Sequence, residues 1–215
     1  PHCDGDRGMS DVDFRLEETR EGSARLLVQV PDQVPDVWVD VQVVLPSSLS
    51  LLVDDENGDL VVRDVASLDL EDGLGDVEVS GVTGDLWLVD GSGDVLLRDL
   101  GGTADLEDGL GDLDLLGLEG SLWLRDSSGD LSLREIGGDA RIDDGLGDLD
   151  VEEVDGDVDI DDASGDIRVR AVVGTVTIRD DLGDIYVDDV GALDIVEDGT
   201  GEVYYDGGAY RGWAD

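Results

Sequence analysis

Fourteen aspartates recur as pairs at one fixed interval: Asp72 and Asp76, Asp90 and Asp94, Asp108 and Asp112, Asp126 and Asp130, Asp144 and Asp148, Asp162 and Asp166, and Asp180 and Asp184. Each pair follows the last by eighteen positions. Carboxylates in such an array have three uses. Stacked with turn carbonyls, they offer hard oxygen ligands to Ca²⁺. Two acids flanking a cleft can cleave a glycosidic bond. An Asp beside a turn Gly can accept the turn's amide protons. A ladder of equivalent pairs singles out no catalytic member, and no insertion interrupts it to form a cleft.

Other reactive side chains are few. One His and one Cys occur, adjacent, as His2 and Cys3. A single thiol makes no internal disulfide, and a four-ligand zinc site or Cys/His catalysis is starved of residues. Cys3 remains a candidate for an intermolecular bridge. Trp87 and Trp123 lie two such intervals apart between inward leucines, where an indole can stack on a sugar or anchor an interface. Tyr204, Tyr205, Tyr210 and Trp213 gather in the last twelve residues. They suit either a plug over the end of the fold or a docking tail for a second molecule. Arg98, Arg134 and Arg170 form a row among acids, suited to cross-strand charge pairing.

Composition narrows the partners. The 215 residues include 57 acids and 13 bases, all Arg, for a net charge of −44. Such a polyanion repels nucleic acid and anionic membrane surfaces. Apolar residues still make up 40% of the chain. That is enough for a globular core, so the charge does not imply disorder. No apolar run reaches the ~18 residues of a membrane span. Stacked carboxylates repel, and molar salt, with a Debye length of about 3 Å, makes them tolerable. The acidity therefore suits a high-salt environment.

The elements that place these residues follow from a nine-residue unit in two alternating flavours. Gly-acid-apolar triplets begin at Gly58, Gly75, Gly93, Gly111, Gly129, Gly147, Gly165, Gly183 and Gly201, in steps of 18 with one of 17. A second series, Gly84, Gly102, Gly120, Gly138, Gly156 and Gly174, runs nine residues out of phase. Apolar residues alternate within each unit, as in Leu86/Leu88 and Val95/Leu97, the period of a half-buried strand. One turn is Asp-Gly-Xaa-Gly-Asp; the other carries Val82, Leu100, Leu118, Ile136, Val154 or Val172. Stacking like on like requires a rung of two units, eighteen positions. A rung of four units is the alternative, because Leu74, Ser92, Leu110, Ser128, Leu146 and Ser164 alternate. The chain is therefore predicted to be all-β, a parallel β-solenoid of about eight rungs over residues 58–203. Residues 1–10 read as an acidic, Gly-rich arm. Residues 11–57 read as an N-terminal β cap with strands Phe14–Glu17, Ala24–Val30, Val37–Leu45 and Leu49–Val53. Residues 204–215 read as the aromatic plug or tail.

Leu45-Pro46, Asn57-Gly58-Asp59, Gly81-Val82-Thr83-Gly84-Asp85 and Gly91-Ser92-Gly93-Asp94 together resemble the DUF4097 family of bacterial, adhesin-like β-solenoids. The resemblance spans roughly residues 37–205. It implies an extracytoplasmic β-helical domain, periplasmic, surface-bound or secreted, with no assigned active site. The leading expectation is a non-enzymatic, exported structural protein that self-associates head to tail. The alternatives are a Ca²⁺-binding adhesin module recognising glycan, cell surface or protein through Trp87 and Trp123, and an enzyme acting on polysaccharide.

Overall fold

The computed structural model describes residues 13–20, 23–29, 39–206 and 210–211. The chain divides into two units, Pro1–Leu45 and Pro46–Asp215. In the first, β1 (Asp13–Arg20) and β2 (Ser23–Gln29) form an antiparallel hairpin with Leu16 opposite Leu26. The strand expected over 37–45 does not form along residues 39–45. Val41, Val43 and Val44 are exposed there. No partner strand pairs with that stretch among the described residues, and an extended chain without a ladder leaves its backbone groups to water.

The second unit is the solenoid. Pro46 opens it with a turn in which the Leu49 amide donates to the Pro46 carbonyl at 3.1 Å. Its strands are β3 (Ser50–Asp55), β4 (Leu60–Val65), β5 (Ser67–Asp72), β6 (Val77–Val82), β7 (Leu86–Asp90), β8 (Val95–Leu100), β9 (Ala104–Asp108), β10 (Leu113–Leu118), β11 (Leu122–Asp126) and β12 (Leu131–Ile136). β13 (Ala140–Asp144), β14 (Leu149–Val154), β15 (Val158–Asp162), β16 (Ile167–Leu182), β17 (Ile185–Thr200), β18 (Val203–Asp206) and β19 (Tyr210–Arg211) complete it. From β3 to β14 each strand pairs in parallel with the strand two further on, so β6 lies between β4 and β8, and β7 between β5 and β9. Two stacks result. β16 and β17 run continuously through the corner and belong to both.

Partner residues are 18 apart, as in Leu113 with Leu131 and Trp123 with Arg141, except for steps of 17 in the first rung, as between Ser50 and Ser67, and again late in the ladder, as between Leu193 and Tyr210. The solenoid is thus built of 18-residue rungs, two units each rather than four. The alternation of Leu74, Leu110, Leu146 and Leu182 with serines is a surface pattern, and those leucines are more than half exposed. The solenoid has about nine turns. It exceeds the expected eight because β3 already lies in the ladder before residue 58, and β18 and β19 extend it past 203. In the last turn a step of 17 at Thr175–Ala192 is restored to 18 by one extra residue, Val196.

Two sharp bends close each rung. At the first, residues 64, 81, 99, 117, 135, 153, 171 and 189 stand in register with φ between 51° and 84°. The apolar residue just after each bend turns inward, so Val82, Leu100, Leu118, Ile136, Val154 and Val172 are all buried. The second bend is the Asp-Gly-Xaa-Gly-Asp turn. The Gly before its last Asp is obligatory, also where Ser or Ala replaces the first Gly, as in Asp126-Ser127-Ser128-Gly129-Asp130: at Gly129, with φ of 159°, an added Cβ would collide with the Gly111 carbonyl. The interior is a column of Leu, Val, Ile and Ala, with Leu70, Leu88, Leu97, Leu106, Leu115, Leu124 and Leu133 fully inaccessible.

Candidate functional site

The turn that holds the aspartate pairs sets one member inward and the other outward. On β5, Leu68, Leu70 and Asp72 occupy alternate positions. Asp72 therefore shares the inward side with the leucines. The same parity buries Asp90, Asp108, Asp126, Asp144, Asp162 and Asp180, each 1–6% exposed. Asp76, Asp94, Asp112, Asp130, Asp148, Asp166 and Asp184 end the turn, just before the next strand, and lie outside or half-buried. The expected pair of equivalent ladders is therefore two unlike columns.

The outer column caps the turns. The Asp94 amide donates to Asp76 Oδ1 at 3.1 Å, Asp112 to Asp94 at 3.1 Å, Asp130 to Asp112 at 3.0 Å and Asp148 to Asp130 at 2.9 Å. The series continues through Asp166 and Asp184 to the Glu202 amide. Each carboxylate thus holds the turn of the following rung rather than its own. The other corner repeats the device, with Thr103 donating its amide and hydroxyl to Asp85 at 2.9 and 3.0 Å. Those two bonds hold the Asp85 carboxyl below its usual pKa.

The inner column is electrostatically strained. Rungs about 4.8 Å apart place neighbouring charges where repulsion is about 3.5 kcal/mol at an effective dielectric of about 20. Burial, reinforced by the neighbouring acids, raises Asp72 to about 6, Asp108 to about 7 and Asp144 to about 8. Burial is also the leading cause at Asp126 (about 6), Asp162 (about 7), Asp180 (about 6) and Asp90, which is raised as well. The amide following each of Asp72, Asp90, Asp108 and Asp144 opposes this rise. Among the described residues no three acid, His or Cys side chains converge on a point that could hold a metal ion. Each interval of the inner column offers two carboxylates, against the six to eight oxygens Ca²⁺ takes.

The remaining candidates distribute as follows. Trp87 and Trp123 share one outward row with Asp105 between them. Two rungs separate the indoles, a distance of about 10 Å. Trp123 is 40% exposed, with the Arg125 guanidinium over its ring at 5.1 Å. Arg125 also pairs with Glu107 at 2.9 Å. Of the arginine row, Arg170 pairs with Glu152 at 3.1 Å and Arg134 reaches Glu152 at 4.0 Å. Arg98 stands between Ser80 and Leu116. Tyr204 and Tyr205 are not in a tail; they belong to the strand β18. Tyr204 stacks outward on Tyr186 with centroids 4.8 Å apart, and Tyr205 turns inward against the end of the core. Tyr210 lies in β19 beside Leu193. His2, Cys3 and Trp213 lie outside the described residues.

An open groove runs along the left-handed corner, lined in part by Asp99, Glu119, Glu135, Glu153 and Asp155. All five acids are exposed. No helix of the described residues is long and apolar enough to cross a membrane. The chain matches no protein-family model, no curated protein and no solved structure, so the resemblance to DUF4097 rests on the quoted turn motifs alone.

Proposed function

We propose that the chain is a non-enzymatic, exported structural protein that joins end to end into filaments, with an acidic surface suited to high salt. One observation carries the reading. At one end of the ladder β3 pairs only with β5 and β4 only with β6; at the other β18 and β19 pair only with β17, all among the described residues. Among the described residues, each end thus offers a row of strand amides and carbonyls at the register of one more rung. Such edges template addition of another chain. Joining the first rung of one copy to the last of the next is a heterologous contact, and heterologous contacts that do not close build open filaments. The charge of −44 opposes lateral and end-on approach at low ionic strength. Molar salt screens it.

Electron microscopy of the purified chain tests this. Unbranched fibres, one solenoid wide, are expected in molar NaCl and fewer at low salt. Monodisperse particles at high concentration, in molar salt with and without Ca²⁺, contradict it.

A further inference from the structure

The inner aspartate column lacks partners. Both carboxyl oxygens of Asp72, Asp90, Asp108, Asp126 and Asp144, and one each of Asp162 and Asp180, are shut from solvent without a completed hydrogen bond; the amides that follow the first five approach them but do not complete one. Asp162 and Asp180 use their other oxygen to accept the amides of Ser164 at 3.1 Å and Leu182 at 3.0 Å. The remaining five lie beside one another. Asp72 stands opposite Asp90 in the strand register, and Asp90 and Asp108, like Asp126 and Asp144, stand one 18-residue rung apart in the buried column.

Geometry shows what fits between them. With C–O bonds of about 1.23 Å, the two oxygens of one carboxyl are about 2.2 Å apart, so groups stacked at about 4.8 Å can leave about 2.6 Å between facing oxygens. That gap matches a charge-assisted O–H···O⁻ bond and is too small for a hydrated ion. Two ionised carboxylates so placed repel; one proton makes the pair a donor and an acceptor.

We propose that the column is a proton-binding site, in which Asp72 and Asp108 are neutral carboxyls donating to the ionised Asp90 between them, and Asp144 donates to Asp126. The charged groups around the column supply no alternative counter-ion. Asp55 acts on Asp72, Asp76 on Asp90, Asp112 on Asp126, Asp148 on Asp162, and Asp166, Asp181 and Asp198 on Asp180. All are acids. Glu71, Glu107, Arg125, Asp143, Asp161 and Arg179 precede column members on the same strands. They fall on the opposite side of the strand.

The values of about 7 at Asp108 and about 8 at Asp144, above the value of about 6 at Asp126, agree with this assignment, and Asp72, at about 6, holds its proton only below that pH. The folded chain then holds protons that the unfolded chain, with Asp near 3.9, has released. This contribution to stability is complete below about pH 4. It is lost as pH rises through about 6 to about 8. The inference does not depend on filament formation.

The test is carbon-13 NMR of Asp Cγ in the full-length chain, titrated from pH 4 to 9 in about 2 M NaCl, which screens the surface charge. Several carboxyls are expected to titrate two or more pH units above free Asp, and the thermal midpoint to fall between pH 5 and 9. In Asp108→Asn and Asp144→Asn a permanent N–H replaces the titrating O–H, so the highest-pH transitions vanish and the midpoint depends less on pH. Every carboxyl titrating near the free value, or a midpoint flat with pH in wild-type protein, overturns the proposal. So does a midpoint that EDTA lowers and Ca²⁺ restores, since a metal would then hold the column. If a variant does not fold, the wild-type titration alone decides.

Discussion

Six residues with side chains, Asp64, Asp99, Glu135, Glu153, Ala171 and Asp189, hold a left-handed backbone. That conformation costs an L-residue about 1–2 kcal/mol. Two positions of the same row, Gly81 and Gly117, avoid the cost. Ala171→Gly is therefore expected to stabilise the chain, by about 0.5–1 kcal/mol after the added freedom of the unfolded state. At Gly129 the neighbouring turn leaves no space for a Cβ. Gly129→Ala is expected to cost about 2–4 kcal/mol. Chemical denaturation of both variants checks the opposite signs. Part of this was legible in the residues. The regular step located both aspartate columns, and an Asp after Gly was expected to accept turn amides. The burial of Asp72 and its equivalents was readable from Leu68-Asp69-Leu70-Glu71-Asp72, where parity puts the last residue with the leucines. A charged residue argues for the surface, and here the alternation prevailed. The left-handed row carried no signal, since its occupants are Asp, Gly, Glu and Ala without a pattern.

At the scale of elements the strands alternate so regularly that their existence, direction and register followed from the two turn flavours. Like residues stack because Leu over Leu and Asp-Gly turn over Asp-Gly turn bury the same area at each step. The failures came where that repetition stops. The 39–45 stretch has strand-like alternation but no neighbour to pair with, and strands form by pairing. Tyr204 and Tyr205 read as part of a plug or a docking tail because aromatics are sparse in earlier rungs, yet they continue the ladder itself, at the ordinary spacing of 18 from Tyr186 and Val187. The register argument makes a sharp prediction. Deleting residues 109–126, one full rung, should leave a cooperatively unfolding β-protein of lower stability, as nearest-neighbour stacking requires. Deleting residues 109–117, half a rung, brings acidic turns over apolar corners and should abolish the fold. Circular dichroism and denaturant titration distinguish the two.

For the whole molecule, the balance is between a continuous aliphatic core and a charge of −44. The core is extensible, since each rung adds the same apolar layer. The charge grows with it, so a longer assembly is favoured only where salt shortens the Debye length below the spacing of rungs. Stacking in register links these effects: it builds the capping column outside, the proton-holding column inside and the open strands at the ends. The most direct measurement of that register is pulsed electron paramagnetic resonance on chains with Cys3→Ser and nitroxides at Ser92 paired with Ser128, Ser164 or Leu182. Separations of two, four and five rungs should differ in steps of about 4.8 Å, near about 10, about 19 and about 24 Å between the backbone sites. Distances that do not increase in proportion to the number of rungs would contradict the stacking on which the whole account stands.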